Sequence, residues 1–275
     1  MQNRITEKFR ELAEKGERAL VCYVVAGYPD STTSKQVINA LVKGGADIIE
    51  VGIPFSDPIA DGPTIQAASN IALRKGITPA KALDLVRSVR KQHPNLPLLA
   101  MTYSNILVRV GIEKFLSESK ECGLDGFILP DMPIEESCTY SLIASKLNLA
   151  TVFLVSPNTP EARLRKIVAR TTGFLYVVSV YGITGARNSF QKYTLNTIRA
   201  VKHVAGARVP VAVGFGISTP AHAKSMIAAG AEAVIIGSVL IDKISGGSGK
   251  KMLQDLQNFT RSMKKACKSE EDKIH

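Results

Sequence analysis

The feature that most constrains this chain is a repeating alternation of short apolar runs with amphipathic stretches. Runs rich in β-branched residues begin near positions 20 (ALVCYVVA), 47 (DIIEVGI), 97 (PLLAMTY), 125 (DGFILPD), 149 (LATVFLV), 174 (FLYVVSV), 209 (VPVAVGF) and 233 (AVIIGS). Each is nearly continuous in hydrophobicity rather than alternating, as expected of a strand buried on both faces of a parallel sheet. Between them lie helical patterns: Val37, Ile38, Leu41 and Val42; Ala82, Leu83, Val86 and Val89; Leu164, Ile167 and Val168; Ile198 and Val201; Met226 and Ile227. Thr78-Pro79, Thr159-Pro160 and Thr219-Pro220 each offer an N-cap followed by a proline at the first helical position. Gly45-Ala46-Asp47, Gly123-Leu124-Asp125 and Gly230-Ala231-Glu232 each place a capping glycine before a turn into the next strand.

Eight strand–helix units predict a closed, single-domain (β/α)8 barrel, the TIM-barrel architecture, in which crossover helices cover every strand. A doubly wound open sheet is the alternative, disfavoured by the even spacing. The barrel occupies residues 1–275 as one domain, with an N-terminal extra helix within 1–17, a flexible linker at 245–250 before the last helix, and a basic and polar tail at 266–275. Two connections are longer than the rest, after the second strand and after the sixth. Both fall at the C-terminal end of the strands, where barrels place their chemistry.

Composition narrows the function. The four cysteines (Cys22, Cys122, Cys138, Cys267) form no CxxC pair, and the four histidines (His93, His203, His222, His275) show no metal-ligand spacing. No metal site is expected. The longest apolar stretches are about half the roughly 20 residues that a bilayer span requires, and no leader pattern precedes them, so a cytoplasmic protein is expected. A net charge of +11 from 35 basic and 24 acidic side chains raises nucleic acid as a partner. Without interleaved aromatics, it reads better as solvated helix faces and tail.

The second strand carries Glu50, which alternates onto one face with Ile48 and Gly52. A carboxyl in so apolar a strand is either tied to a backbone amide or left to hold its proton, as a general acid or base does. Asp57 and Asp61 follow in a proline-rich loop, where aspartates commonly form turns. A DxxxD magnesium site would need a second acidic cluster, and the sequence has none. Glycine-containing turns after the sixth, seventh and eighth strands (Gly182 to Gly185, Gly214 to Ser218, Gly237-Ser238) could aim backbone amides at one anion, which points to a phosphorylated substrate. The GGSGK stretch at 246–250 lacks the hydroxyl residue after its lysine, so it is no phosphate loop.

The segments EVGIPFSDPIADGPTIQ, LPDMPIEES, SVYGITGARN, VGFGIS and GSVL, in this order and register, resemble the tryptophan synthase α-subunit family from about Arg18 to Ile244. The resemblance implies retro-aldol cleavage of indole-3-glycerol phosphate to indole and glyceraldehyde 3-phosphate, with neither metal nor organic cofactor. It makes Glu50 the general acid/base and Asp61 the stabiliser of positive charge on the indole nitrogen. It also implies an indole pocket among Tyr23, Ile65, Met101, Ile128 and Tyr176, further substrate contacts from Tyr103 and Phe215, and a phosphate held on the amides of Gly185, Gly216, Gly237 and Ser238. Thr184 would close over the site and bond Asp61. A pyridoxal-phosphate-dependent β subunit would dock around Pro54, Asp57 and Asn105 to form an α2β2 assembly and take up the indole. Tyr23 stands where the family pattern has phenylalanine, Tyr181 places a bulky ring beside Gly182, and the lysine-rich tail extends beyond the pattern. Other phosphate-binding barrels of aromatic amino-acid biosynthesis would need a catalytic lysine or a Cys/Asp pair at the strand ends, and none is found. A non-catalytic activator of the β subunit would need neither Glu50 nor Asp61.

Overall fold

A computed structural model describes residues 3–178 and 192–268. Eight parallel strands close in chain order into a barrel: β1 (Ala19–Val25), β2 (Ile48–Gly52), β3 (Leu98–Met101), β4 (Gly126–Ile128), β5 (Ala150–Val155), β6 (Leu175–Val178), β7 (Val211–Gly214) and β8 (Ala233–Ile236). All eight apolar runs are strands. β1 pairs with β8 through Ala19 opposite Ala233, so no sheet edge is left open.

The helices around the barrel are α1 (Arg4–Glu14), α2 (Ser31–Gly44), α3 (Pro63–Arg74), α4 (Pro79–Gln92), α5 (Ser104–Val110), α6 (Ile112–Cys122), α7 (Cys138–Lys146), α8 (Glu161–Arg170), α9 (Lys192–Ala205), α10 (Pro220–Ala228), α11 (Ser238–Ser245) and α12 (Gly249–Ala266). Thr78 and Thr219 cap α4 and α10, their side chains accepting the amides of Lys81 and His222. Thr159 does not cap α8. Its hydroxyl accepts the Ser156 amide at 3.1 Å instead, and the helix starts after Pro160. Gly45 and Gly123 close α2 and α6 in the left-handed region, at φ 103° and 98°.

The acids that follow these caps do more than end a turn. Asp47, Asp125 and Glu232 each accept the amide of a residue at the start of the neighbouring strand: Leu20 at 2.8 Å, Leu98 at 2.9 Å and Val211 at 2.9 Å. Their own amides donate back to the carbonyls of the same three residues. Each Gly-x-acid turn therefore ties one strand start to the next around the N-terminal mouth. Asp125, 1% exposed, also accepts Arg90 at 2.7 Å and Arg4 at 2.8 Å, which fastens α1 under the barrel.

The long connection after β2 contains a whole extra helix, α3, where the sequence suggested only a loop. The linker before the last helix spans only 246–248, because α12 already includes Gly249 and Lys250. α12 packs along α2, with Gly44 against Thr260. The chain beyond it begins in ordered structure: Cys267 is buried, and Lys268 pairs with Glu17 at 3.0 Å. Among the described residues no helix is long and apolar enough to cross a membrane.

Candidate active site

Glu50 sits in the middle of β2, beside Tyr23 of β1 and Leu99 of β3 in register. It is 1% exposed, and among the described residues neither carboxylate oxygen has a hydrogen-bond partner. No backbone amide among the described residues ties the acid down. Burial, with the nearby Asp61 charge adding, pushes its carboxyl up to about 8, so it holds its proton at neutral pH.

Asp61 lies in the loop between β2 and α3. The Tyr103 hydroxyl donates to its Oδ2 at 3.1 Å and itself accepts the Ala60 amide at 3.1 Å. Gln66, on the first turns of α3, donates to the Asp61 carbonyl at 2.8 Å. Burial raises the Asp61 carboxyl to about 6, and the Tyr103 hydrogen bond opposes that rise. The two acids are thus driven apart: one is a proton carrier at neutral pH and the other a carboxylate, the pattern by which two carboxyls in one site take different roles.

Both acids face a cavity of about 250 Å³ at the C-terminal end of the barrel. Tyr23, Ile65, Met101, Tyr176, Phe215, Gly216, Gly237 and Ser238 line it with them. The Tyr23 ring lies over Gly52, where any Cβ would collide with the phenol, so the glycine next to Ile53 makes room for that ring. Phe215 is held in the left-handed region at φ 75°, a costly conformation for a bulky residue, and its ring packs edge-on at 6.0 Å against Tyr176. Gly237 and Ser238 form the start of α11, where helix amides point outward without helical partners.

Two of the residues expected to contact substrate do not line this cavity. Ile128 is fully buried at the end of β4 and does not line the cavity. Tyr103 acts behind Asp61 rather than on the cavity wall. Thr184 and Gly185 lie outside the described residues, as does Tyr181. Gly62, Pro63 and Thr64 also line the cavity. They form the N-terminus of α3, which shares with α4 and α10 a proline at its start but has in Gly62 no side chain to cap it. Pro54 is buried, whereas Asp57 and Asn105 are exposed on the neighbouring loop and the first turn of α5.

Residues 9–268 match the family model described as tryptophan synthase alpha chain. The chain belongs to that family. The tryptophan synthase alpha chain of Methanosarcina barkeri is 42% identical, over 97% of this chain and 98% of its own. A solved structure from Aquifex aeolicus superposes with a TM-score of 0.88 at 38% identity, covering 98% of this chain and all of that one. A chain of the tryptophan synthase complex from Pyrococcus furiosus gives 0.82 at 37% identity, covering 90% and 98%.

Proposed function

We propose that this chain cleaves indole-3-glycerol phosphate to indole and D-glyceraldehyde 3-phosphate. The observation that carries the reading is Glu50: a buried carboxyl without a partner among the described residues, facing the same cavity as a second acid of lower proton affinity.

Protonated Glu50 gives its proton to C3 of the indole, leaving positive charge on the ring nitrogen. Asp61, held by Tyr103, offsets that charge. The Glu50 carboxylate then removes the proton of the hydroxyl on the carbon attached to C3. That carbon becomes the aldehyde, and the electrons of the broken carbon–carbon bond return to the ring. Glu50 ends the cycle protonated as it began, so neither a metal nor an organic cofactor is required. The apolar walls supplied by Tyr23, Met101 and Tyr176 hold the ring, and the amides of Gly216, Gly237 and Ser238, with Gly185, take the phosphate.

The partner is a pyridoxal-phosphate-dependent β subunit, in an α2β2 cytoplasmic assembly, to which the indole passes directly. Close in sequence to Asp57 and Asn105, the connection after β2 and the helix α5 expose Ile59 (82%), Val108 (66%) and Val110 (36%), large apolar side chains that a partner could cover. The test is to incubate the purified protein with indole-3-glycerol phosphate, alone and with a β subunit, and to follow indole and aldehyde. Stoichiometric release of both, accelerated by the β subunit, is expected; absence of indole under both conditions overturns the reading.

A further inference from the structure

A second cleft, of about 440 Å³, opens at the opposite mouth of the barrel. It lies between α1 and the starts of β1, β7 and β8, and its charged lining is Arg10, Arg18, Arg208, Glu17 and Glu232. The two carboxylates are already neutralised. Glu17 pairs with Lys264 at 3.1 Å and Lys268 at 3.0 Å, while Glu232 pairs with Lys202 at 2.8 Å and accepts the Val211 amide at 2.9 Å.

The three arginines have no such partners. Among the described residues the Arg18 guanidinium donates only to the Glu17 carbonyl at 3.2 Å, that of Arg208 only to the Ala169 carbonyl at 3.5 Å, and the Arg10 side chain makes no hydrogen bond or ion pair. A guanidinium cannot shed its charge, so three of them lining one concave surface leave positive charge there for an anion to offset. The uncharged lining is Thr6 and four apolar residues, Phe9, Leu12, Ala13 and Pro210. Phe9 is fixed there by its contact with Phe174, 5.9 Å between ring centres.

We propose that this cleft binds a small organic anion, a phosphate or carboxylate on a flat apolar body, with the charge among the three guanidiniums and the body on the Phe9 side. The planar fork of arginine matches both anion types in two-point geometry, and the apolar lining excludes water from one side of the contact. The site is separate from the candidate active site, since none of its residues lines the cavity of Glu50 and Asp61.

The experiment is an amide-resolved NMR titration of the full chain with phenyl phosphate, with benzoate and inorganic phosphate as comparison arms. Saturable shifts at Phe9, Leu12, Ala13 and Arg18 are expected, with inorganic phosphate binding more weakly because it lacks the flat body. Benzoate binding as well as phenyl phosphate identifies a carboxylate site; binding much more weakly identifies a phosphate site. Arg10→Ala and Arg208→Ala, both at exposed positions, should each weaken phenyl phosphate at these resonances by at least about tenfold while leaving the thermal midpoint unchanged. Shifts confined to the cavity at the other mouth, an undiminished response in both variants, or an equal response to sodium chloride would each overturn the proposal.

Discussion

Replacing Glu50 with glutamine is expected to cut turnover by orders of magnitude and at the same time to stabilise the fold, increasingly so as the pH rises. Glutamine keeps the shape of the side chain and removes its proton chemistry. Loss of a positioned general acid/base costs about 10²- to 10⁴-fold in rate. The stability effect follows from burial. A carboxyl that titrates near 4.5 in the unfolded chain and near 8 in the folded one favours folding most while it is protonated in both states. That contribution is lost as the pH climbs from 4.5 through 8, because the unfolded chain ionises freely and the folded one does not. Glutamine is neutral in both states and loses nothing. From the two titration points, the advantage of Glu50→Gln over wild type should grow by about 2 kcal/mol between pH 6 and pH 8, toward a ceiling of roughly 5 kcal/mol. Urea denaturation of both proteins at the two pH values reads the difference directly, since all other groups titrate alike in each to first approximation. A stability gap that is flat with pH would refute the buried, proton-holding carboxyl. Near-normal indole release by the variant would refute its catalytic role.

The same pair of acids predicts a bell-shaped dependence of kcat/KM on pH, with an acid limb near 6 as Asp61 gains its proton and an alkaline limb near 8 as Glu50 loses its own. Tyr103→Phe removes the hydrogen bond that restrains Asp61, so the acid limb should move up and the bell should narrow, measured as a pH–rate profile beside wild type. Asp61→Asn should keep phosphate-ester affinity, measured by calorimetry with glycerol 3-phosphate, and lose most of the rate; loss of binding would assign Asp61 a structural role. At the opposite mouth, Asp125→Ala strands the Leu98 amide and takes the carboxylate from Arg90, which keeps its bonds to the Gly123, His93, Pro94 and Leu96 carbonyls, and should lower unfolding stability by on the order of 2 kcal/mol. Breaking the exposed Arg165–Glu161 pair should change it by about 0.5 kcal/mol or less.

Much of the architecture is legible along the chain because the signals are local. A strand covered on both faces must be apolar throughout, and a helix packed on a sheet must be apolar on one side, so the eight units can be read from periodicity alone. The buried Glu50 is legible for the same reason: a single acid in an otherwise apolar strand has few ways to be accommodated. α3 escaped that reading because only three of its positions, Ala68, Ser69 and Ala72, are deeply buried, too few and too small to stand out as a stripe. Asp125 meeting Arg4 across 121 residues, Tyr103 reaching back to hold Asp61, and three arginines from separate segments gathering on one cleft leave no mark in local pattern. The sequence by itself determined the order of strands and helices and the acid buried among them. The closed tertiary structure decided which distant side chains meet, because barrel closure brings residues together across the mouths in a way that their separation along the chain does not record.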